Sequence, residues 1–200
     1  PTGFCPPAAE LEALARALPP YCLLVIDEAY MDFCADAAAH SLLPRLNDFP
    51  NVAVLRTFSK SYGLAGLRLG CGLMHPELAG VLRNVSIPFA VSLAAEEAGL
   101  AALEDTAFYQ ETLRVTREGR TWLSAELKKL GCEVWPSQSN FLLVKPPRPA
   151  REVFEALLQR RIIVRPLSSG YNLPEHLRIS IGTAQENAAL VKALQAVFAA

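Results

Sequence analysis

Apolar residues recur along the chain at two different periods, and the alternation between them outlines the architecture. Over Glu10 to Leu18 they fall at helical spacing, at Leu11, Leu14, Ala15 and Leu18, and Pro19-Pro20 ends the pattern. Cys22-Leu23-Leu24-Val25-Ile26 is then a short continuous apolar run, and Asn51-Val52-Ala53-Val54-Leu55 is a second. Runs of this length, unbroken by polar residues, are the pattern of strands buried on both faces of a parallel sheet. Leu69 to Leu73, with Gly70 and Gly72, is a third candidate strand. His75-Pro76 opens a helix with proline at its first position. From Ser92 to Leu130 the pattern is helical and predicts two helices meeting near Glu104-Asp105, with Gly131 as the C-terminal stop.

Beyond Gly131 the elements shorten. Strands are predicted at Cys132–Trp135 and Asn140–Val144, and the turn Pro146-Pro147-Arg148-Pro149 leads into a helix over Arg151–Arg160. Two more strands follow at Ile162–Val164 and Leu177–Ile181, then a capping box of Thr183 with Glu186 and an amphipathic helix over Ala188–Phe198. Strands alternating with helices predict an α/β layer fold. The chain divides near residues 100–110 into the C-terminal part of a large parallel-sheet domain, 1–105, and a small α+β domain, 106–200.

Composition narrows the function classes. Of 200 residues, 52% are hydrophobic and 20% charged, which is ample for a buried core. The net charge is −1 with no block of like charge, so neither nucleic acid nor an anionic membrane is expected as a partner. No apolar run reaches spanning length and the start lacks a signal-peptide pattern, so a cytoplasmic protein is expected. The first residue is Pro1 rather than Met, which reads as an N-terminal cut. The five cysteines form no CxxC pair and stand beside no histidine at ligand spacing. They read as small core residues in a reducing compartment, and no metal site is expected. His40, His75 and His176 form no motif and read as surface or capping residues.

The chemistry gathers where two predicted strands end. The first runs into Asp27-Glu28-Ala29-Tyr30 and the second into Thr57-Phe58-Ser59-Lys60-Ser61-Tyr62-Gly63. In open α/β sheets the carboxyl ends of strands carry the functional groups, so a carboxylate and a lysine reach one rim. An Asp27–Lys60 salt bridge would explain both charges. The neighbouring residues suggest more: hydroxyls at Thr57 and Ser59, glycines at 63, 66, 70 and 72, and a guanidinium at Arg68 describe a phosphate cradle. A lysine beside such a cradle, facing an aspartate, is what pyridoxal 5′-phosphate (PLP) chemistry requires. The glycines match neither the GxGxxG nor the GxxxxGK[ST] spacing.

Val25-Ile26-Asp27-Glu28-Ala29-Tyr30, Thr57-Phe58-Ser59-Lys60 and Gly66-Leu67-Arg68-Leu69-Gly70 resemble fold-type I PLP-dependent aminotransferases, and within them most closely the histidinol-phosphate aminotransferases. The same holds for Ser139-Asn140-Phe141, Ile163-Val164-Arg165-Pro166-Leu167, Gly170-Tyr171-Asn172-Leu173-Pro174 and Leu177-Arg178-Ile179-Ser180-Ile181-Gly182-Thr183. The resemblance implies that Lys60 holds PLP as a Schiff base and later moves a proton as base and acid. Asp27 would pair with the pyridinium nitrogen, and Tyr30 would bond the phenolic oxygen. Thr57, Ser59 and Arg68 would hold the cofactor phosphate. Arg178 would bind the anionic end of the substrate, with Arg165 and Asn140 in support. The reaction implied is histidinol phosphate plus 2-oxoglutarate to imidazole-acetol phosphate plus glutamate, in histidine biosynthesis, by a homodimer in its full-length form. Threonine-phosphate decarboxylases of the cobalamin pathway and aromatic-amino-acid aminotransferases are the neighbouring alternatives. Pro1-Thr2-Gly3 resembles the tail of the family's Asn-Pro-Thr-Gly motif, so the sequence reads as an N-terminally truncated fragment. Such a fragment, lacking part of the cofactor pocket, is expected to bind PLP poorly and to turn over little on its own; a catalytically incompetent fragment is the remaining alternative.

Overall fold

The computed structural model describes residues 1–19 and 21–199. Pro20, half of the expected proline stop, lies outside the described residues. The chain forms two compact units, Cys5–Thr112 and a second made of Pro1–Phe4 with Leu113–Ala200.

The first unit carries α1 (Ala8–Ala17), β1 (Leu24–Asp27), α2 (Ala37–His40), β2 (Val52–Thr57), β3 (Gly70–Met74), α3 (Pro76–Val85), α4 (Leu93–Glu104) and the first turns of α5 (Thr106–Lys129). Short 3-10 segments occupy Met31–Phe33, Leu43–Asp48, which is kinked at Arg45, and Ala65–Leu67. The sheet order is β1-β2-β3. β1 runs parallel to β2, with Asp27 opposite Leu55, whereas β3 returns antiparallel, with Thr57 opposite Gly70. The third strand therefore departs from the parallel arrangement expected of it. Residues 58–69 contain a 3-10 turn but no crossover helix, so the chain folds straight back along β2.

Burial is one-sided as well. Leu24, Ile26, Val52, Val54 and Leu73 pack with Ala15, Leu42, Leu46 and Phe49. On the opposite face Val25 is 50% and Leu55 38% exposed, although Ala53, paired with Val25, is buried, so among the described residues the continuous apolar runs are covered on both sides only in part. Cys71 is likewise exposed and Cys22 only half-buried; of the free cysteines, Cys34 and Cys132 are buried. Cys71 misses the core because its cross-strand partner is the charged Arg56, at the polar end of the packed face.

The second unit carries the rest of α5, then β4 (Glu133–Val134), β5 (Phe141–Lys145), α6 (Ala150–Gln159), β6 (Arg165–Leu167), β7 (Leu173–Ser180) and α7 (Ala184–Ala199). Its sheet is antiparallel throughout, in the order β4-β5-β7-β6. Leu142, Val144, Leu177 and Ile179 project to one face and pack with Leu123 and Leu127 of α5, Val153 and Leu157 of α6, and Leu194 of α7. Each such side chain contributes roughly 1.5–3 kcal/mol by leaving water. The strand expected at Ile162–Val164 forms instead at Arg165–Leu167. After α6 the chain turns through Arg161 at φ 60, and buried Val164 is spent on the core before the backbone reaches β7.

The capping box forms as the sequence predicts and starts α7 at Ala184, earlier than the expected Ala188. Thr183 Oγ1 accepts the Glu186 N–H at 3.2 Å, and Glu186 Oε2 accepts the Thr183 N–H at 2.8 Å. The Thr183 backbone N–H, then its hydroxyl, hold the Glu186 carboxyl below its ordinary 4.5. A depressed folded-state pKa stabilises above the ordinary value, and that contribution disappears as pH falls through the depressed one. Thr183→Ala is expected to cost about 1 kcal/mol in denaturant unfolding at pH 7. The cost should shrink on acidification below about pH 4.5 as Glu186 protonates, and a pH-independent cost would show that the carboxylate plays no part.

Candidate active site

The parallel pairing of β1 with β2 brings two strand ends to one rim. Asp27 closes β1 and Thr57 closes β2, and the register puts both on the open face of the sheet, opposite the core. Asp27 is exposed, and its Oδ1 accepts the Ala29 N–H at 3.0 Å, which bends the chain toward half-buried Tyr30. Lys60 is exposed, with Nζ 5.5 Å from the centroid of the Tyr30 ring. Among the described residues no ion pair joins Asp27 to Lys60. The salt bridge that would have explained both charges is absent, and each keeps its charge available to another group.

Local hydrogen bonds shape the lysine turn. The Ser59 N–H donates to Thr57 Oγ1 at 3.1 Å, and the Thr57 hydroxyl donates to the Leu69 carbonyl at 3.4 Å. The Phe58 N–H also donates to the Leu69 carbonyl, at 3.1 Å, and the Gly63 N–H returns to the Lys60 carbonyl at 3.1 Å. Gly63 sits at φ 70, where a Cβ would be strained. These bonds hold the 68–69 segment beside the lysine turn. Thr57 thus has a turn-forming role in addition to any toward a ligand. Arg68 is exposed and left-handed, at φ 57 and ψ 42, and its Nη1 donates to the Ala65 carbonyl at 2.9 Å. A non-glycine residue held there costs roughly 1–2 kcal/mol, and such strain collects at functional sites. Nothing lies within 4 Å of where a Cβ on Gly66 would stand, so the segment beside Arg68 is open.

Beneath this rim lies a cluster that the sequence reading passed over. Arg56 donates from Nε to Glu28 Oε2 at 2.8 Å and from Nη1 to Asp32 Oδ1 at 3.1 Å. The Ser61 hydroxyl donates to Asp32 Oδ2, and the Ser41 hydroxyl donates to Glu28 Oε2 at 2.9 Å. Tyr62 stacks on Tyr109 at 4.8 Å between centroids. Burial, then the Asp32 charge, push the Tyr109 hydroxyl up to about 12. One sequence signal was available: a single arginine inside the apolar run Val52-Ala53-Val54-Leu55-Arg56, which must find carboxylates if it is buried.

Asn140, Arg165 and Arg178 belong to the second unit, and its sheet draws them together. Arg165 lies directly opposite Arg178 across β6 and β7, and Phe141, just after Asn140, lies opposite Ser180. The Arg178 guanidinium stands 4.9 Å over the Phe141 ring, and its Nε is buried without a hydrogen-bond partner. Arg165, Arg178 and Ser180 line an open cleft of about 460 Å³. Neither guanidinium pairs with a carboxylate among the described residues. Like charges directly opposite on paired strands destabilise a sheet by roughly 0.2–1 kcal/mol, a cost that a bound anion would reverse.

The family model described as aminotransferase class I and II matches residues 1–194. The chain belongs to that family. The histidinol-phosphate aminotransferase of Nitratidesulfovibrio vulgaris strain Hildenborough is 61% identical over 197 residues, which are 98% of this chain and 52% of that protein. The crystal structure of histidinol-phosphate aminotransferase from Sinorhizobium meliloti in complex with pyridoxal-5′-phosphate superposes with a TM-score of 0.91 at 32% identity, covering 100% of this chain and 55% of that one. L-threonine-O-3-phosphate decarboxylase from Porphyromonas gingivalis superposes with a TM-score of 0.86 at 24% identity, covering 100% and 62%, a likeness in fold alone. The chain spans about half the length of the curated relatives it matches. Its fold is α/β, that part of the fold-type I PLP-dependent transferase fold which the chain covers.

The arginine pair makes a direct prediction. Arg165→Ala is expected to leave unfolding stability unchanged or to raise it by up to about 1 kcal/mol without added anion. It should also reduce the stabilisation that inorganic phosphate confers on the parent, as read by thermal shift. A loss above about 2 kcal/mol would make Arg165 a structural residue instead.

Proposed function

We propose that this chain belongs to a PLP-dependent aminotransferase acting on histidinol phosphate, with Lys60 as the residue that bonds the cofactor and moves the reacting proton. The observation that carries the reading is the juxtaposition of unpaired Asp27 and unpaired Lys60 at one open rim, with the Tyr30 ring beside the amine. That donor set fits PLP: a carboxylate for a ring nitrogen, a hydroxyl for a phenolic oxygen, an amine for an aldehyde, and Thr57, Ser59 and Arg68 for a phosphate. When bound, PLP supplies the electron sink that accepts negative charge from the substrate α-carbon. Asp27 keeps the proton on the pyridine nitrogen, and Tyr30 donates to the ring oxygen. The Lys60 amine would take the proton from the substrate α-carbon and deliver it to the cofactor's aldehyde carbon, as base and then acid.

Arg178, which lines the cleft, is assigned the anionic end of the substrate, with Arg165 as a second contact and Asn140 as a supporting donor. The same pair of cations suits both a phosphate on histidinol phosphate and a carboxylate on glutamate, the two substrates exchanged with imidazole-acetol phosphate and 2-oxoglutarate. We assign the cofactor site to the large-domain part, 1–105, and the substrate arginines to the small domain, 106–200. The high identity to histidinol-phosphate aminotransferases favours this substrate over threonine phosphate. Exposed Val85, Ile87, Phe89 and Leu93, at 72% or more, form an apolar stretch suited to the partner subunit of a homodimer. No described helix is long and apolar enough to cross a membrane, and we assign the protein to the cytoplasm.

The test uses the full-length protein with glutamate and imidazole-acetol phosphate. Amino transfer is expected, together with a visible absorbance band from lysine-bound cofactor that Lys60→Ala removes. The same substitution should lower kcat by at least about 10²- to 10⁴-fold, the range for losing a positioned acid–base group. A band that survives Lys60→Ala would sink the assignment of Lys60. Release of CO₂ from threonine phosphate without amino transfer would overturn the substrate.

A further inference from the structure

We propose that Asp32 is a positioning residue that ties the lysine turn to the tyrosine turn and so sets where the Lys60 amine stands. The inference rests on the reading of Lys60 given above and extends it to residues that touch neither cofactor nor substrate.

Four residues assigned to the cofactor each have a close chain neighbour in the buried cluster. Glu28 follows Asp27, Asp32 lies two residues after Tyr30, Arg56 precedes Thr57, and Ser61 follows Lys60. Strand alternation accounts for two of these pairs: Asp27 and Thr57 project to the open face, while Glu28 and Arg56 project to the packed face. Asp32 joins the remaining elements. One carboxylate oxygen takes Arg56 Nη1 of β2 at 3.1 Å. The other takes the hydroxyl of Ser61, which is 0% exposed. The Asp32 charge also reaches Tyr109 of α5, whose hydroxyl it helps to push up. Arg56 is clamped in turn by Glu28, with Nη2 to Oε2 at 2.6 Å, and Glu28 is 4% exposed.

Lys60 itself has a long, exposed side chain and, among the described residues, no ion pair to restrain it. Its restraint comes through the backbone, and Ser61 is the anchor next to it. Mispositioning of a reacting group by about 1 Å costs on the order of 100-fold in rate, so the anchor bears on turnover. It does not bear on substrate affinity, because Asp32 and Ser61 lie outside the arginine cleft.

The experiment compares Asp32→Asn and Ser61→Ala in the full-length protein by two readouts. Amide hydrogen exchange, measured without PLP, is expected to accelerate on the order of 10-fold at residues 58–63 while the β5–β7 ladder is unchanged. In the loaded enzyme kcat should fall on the order of 10- to 100-fold with the KM for histidinol phosphate held, the mark of a group misplaced for the reaction rather than for binding. If Asp32→Asn fails to fold because Arg56 loses its partner, Ser61→Ala, which leaves that ion pair in place, carries both readouts. Folded variants with unchanged exchange and unchanged kcat overturn the proposal. So does acceleration spread over the whole chain with kcat retained, which marks a purely structural role. A parent protein that shows no amino transfer would defeat the reading of Lys60, while exchange at 58–63 would still decide whether Asp32 tethers the turn.

Discussion

The pairing of β1 with β2 in parallel is the constraint on which the rest of the first unit depends. Parallel strands end on the same side, so Asp27 and the turn after Thr57 meet at one rim without any contact between their side chains. Had β2 run antiparallel to β1, the same residues would stand at opposite ends of the sheet. β3 then runs back along β2, with Gly70 opposite Thr57. A Cβ at Gly70 would stand 2.9 Å from the Arg56 carbonyl, so glycine is what permits the close return. That return brings Arg68 beside Thr57. Three strands and one tight connection thus assemble a carboxylate, an amine, hydroxyls and a guanidinium from segments forty residues apart in sequence.

The two faces of that sheet divide the labour. The packed face ends in charge, not in further apolar side chains: Arg56 pairs with both Glu28 and Asp32, Ser41 and Ser61 add a hydroxyl to each carboxylate, and Glu28 Oε1 stays buried without a partner. Replacing such a cluster with apolar residues of similar volume is often neutral for stability or favourable. Stability alone therefore does not account for it. Its geometric effect does, since Glu28, Asp32, Arg56 and Ser61 each stand next to, or two residues from, a residue assigned to the cofactor. The open face shows the opposite logic, with charges that have no counter-charge among the described residues.

Most of this organisation was legible in the sequence, for reasons that differ by element. The helix pair broken at Asp105 and the capping box of Thr183 with Glu186 were readable because their signals are local. The meeting of Asp27 and Lys60 at one rim was readable because each follows an apolar run, and the parallel register of β1 and β2 brings the two strand ends together. The direction of β3 was not readable, because apolar runs look alike in parallel and antiparallel strands. Nor was the open face of β1, since Val25 at 50% exposure is as apolar as Val52 at 0%. The strand at Arg165–Leu167 was misplaced because Ile162-Ile163-Val164 is the more apolar triplet, and its β propensity lost to the packing of Val164. The Asp32 tether was invisible because hydrogen bonds between segments leave no periodicity.

The second unit applies a related principle to a different end. Arg165 and Arg178 are brought face to face by strand register, where no carboxylate answers them. Ordinary selection for stability removes like charges from opposed positions, since each pair opposes its own ladder. Carrying both, one of them over an aromatic ring, leaves a repulsion that the proposed substrate anion would relieve. Unpaired charges at the rim of the first unit and in the cleft of the second are therefore the same kind of signal. In each, the folded chain keeps a local electrostatic cost that the proposed ligand would offset: a cofactor with a basic ring nitrogen, an aldehyde and a phosphate at Asp27, Lys60 and Arg68, and a carboxylate or phosphate at the two arginines.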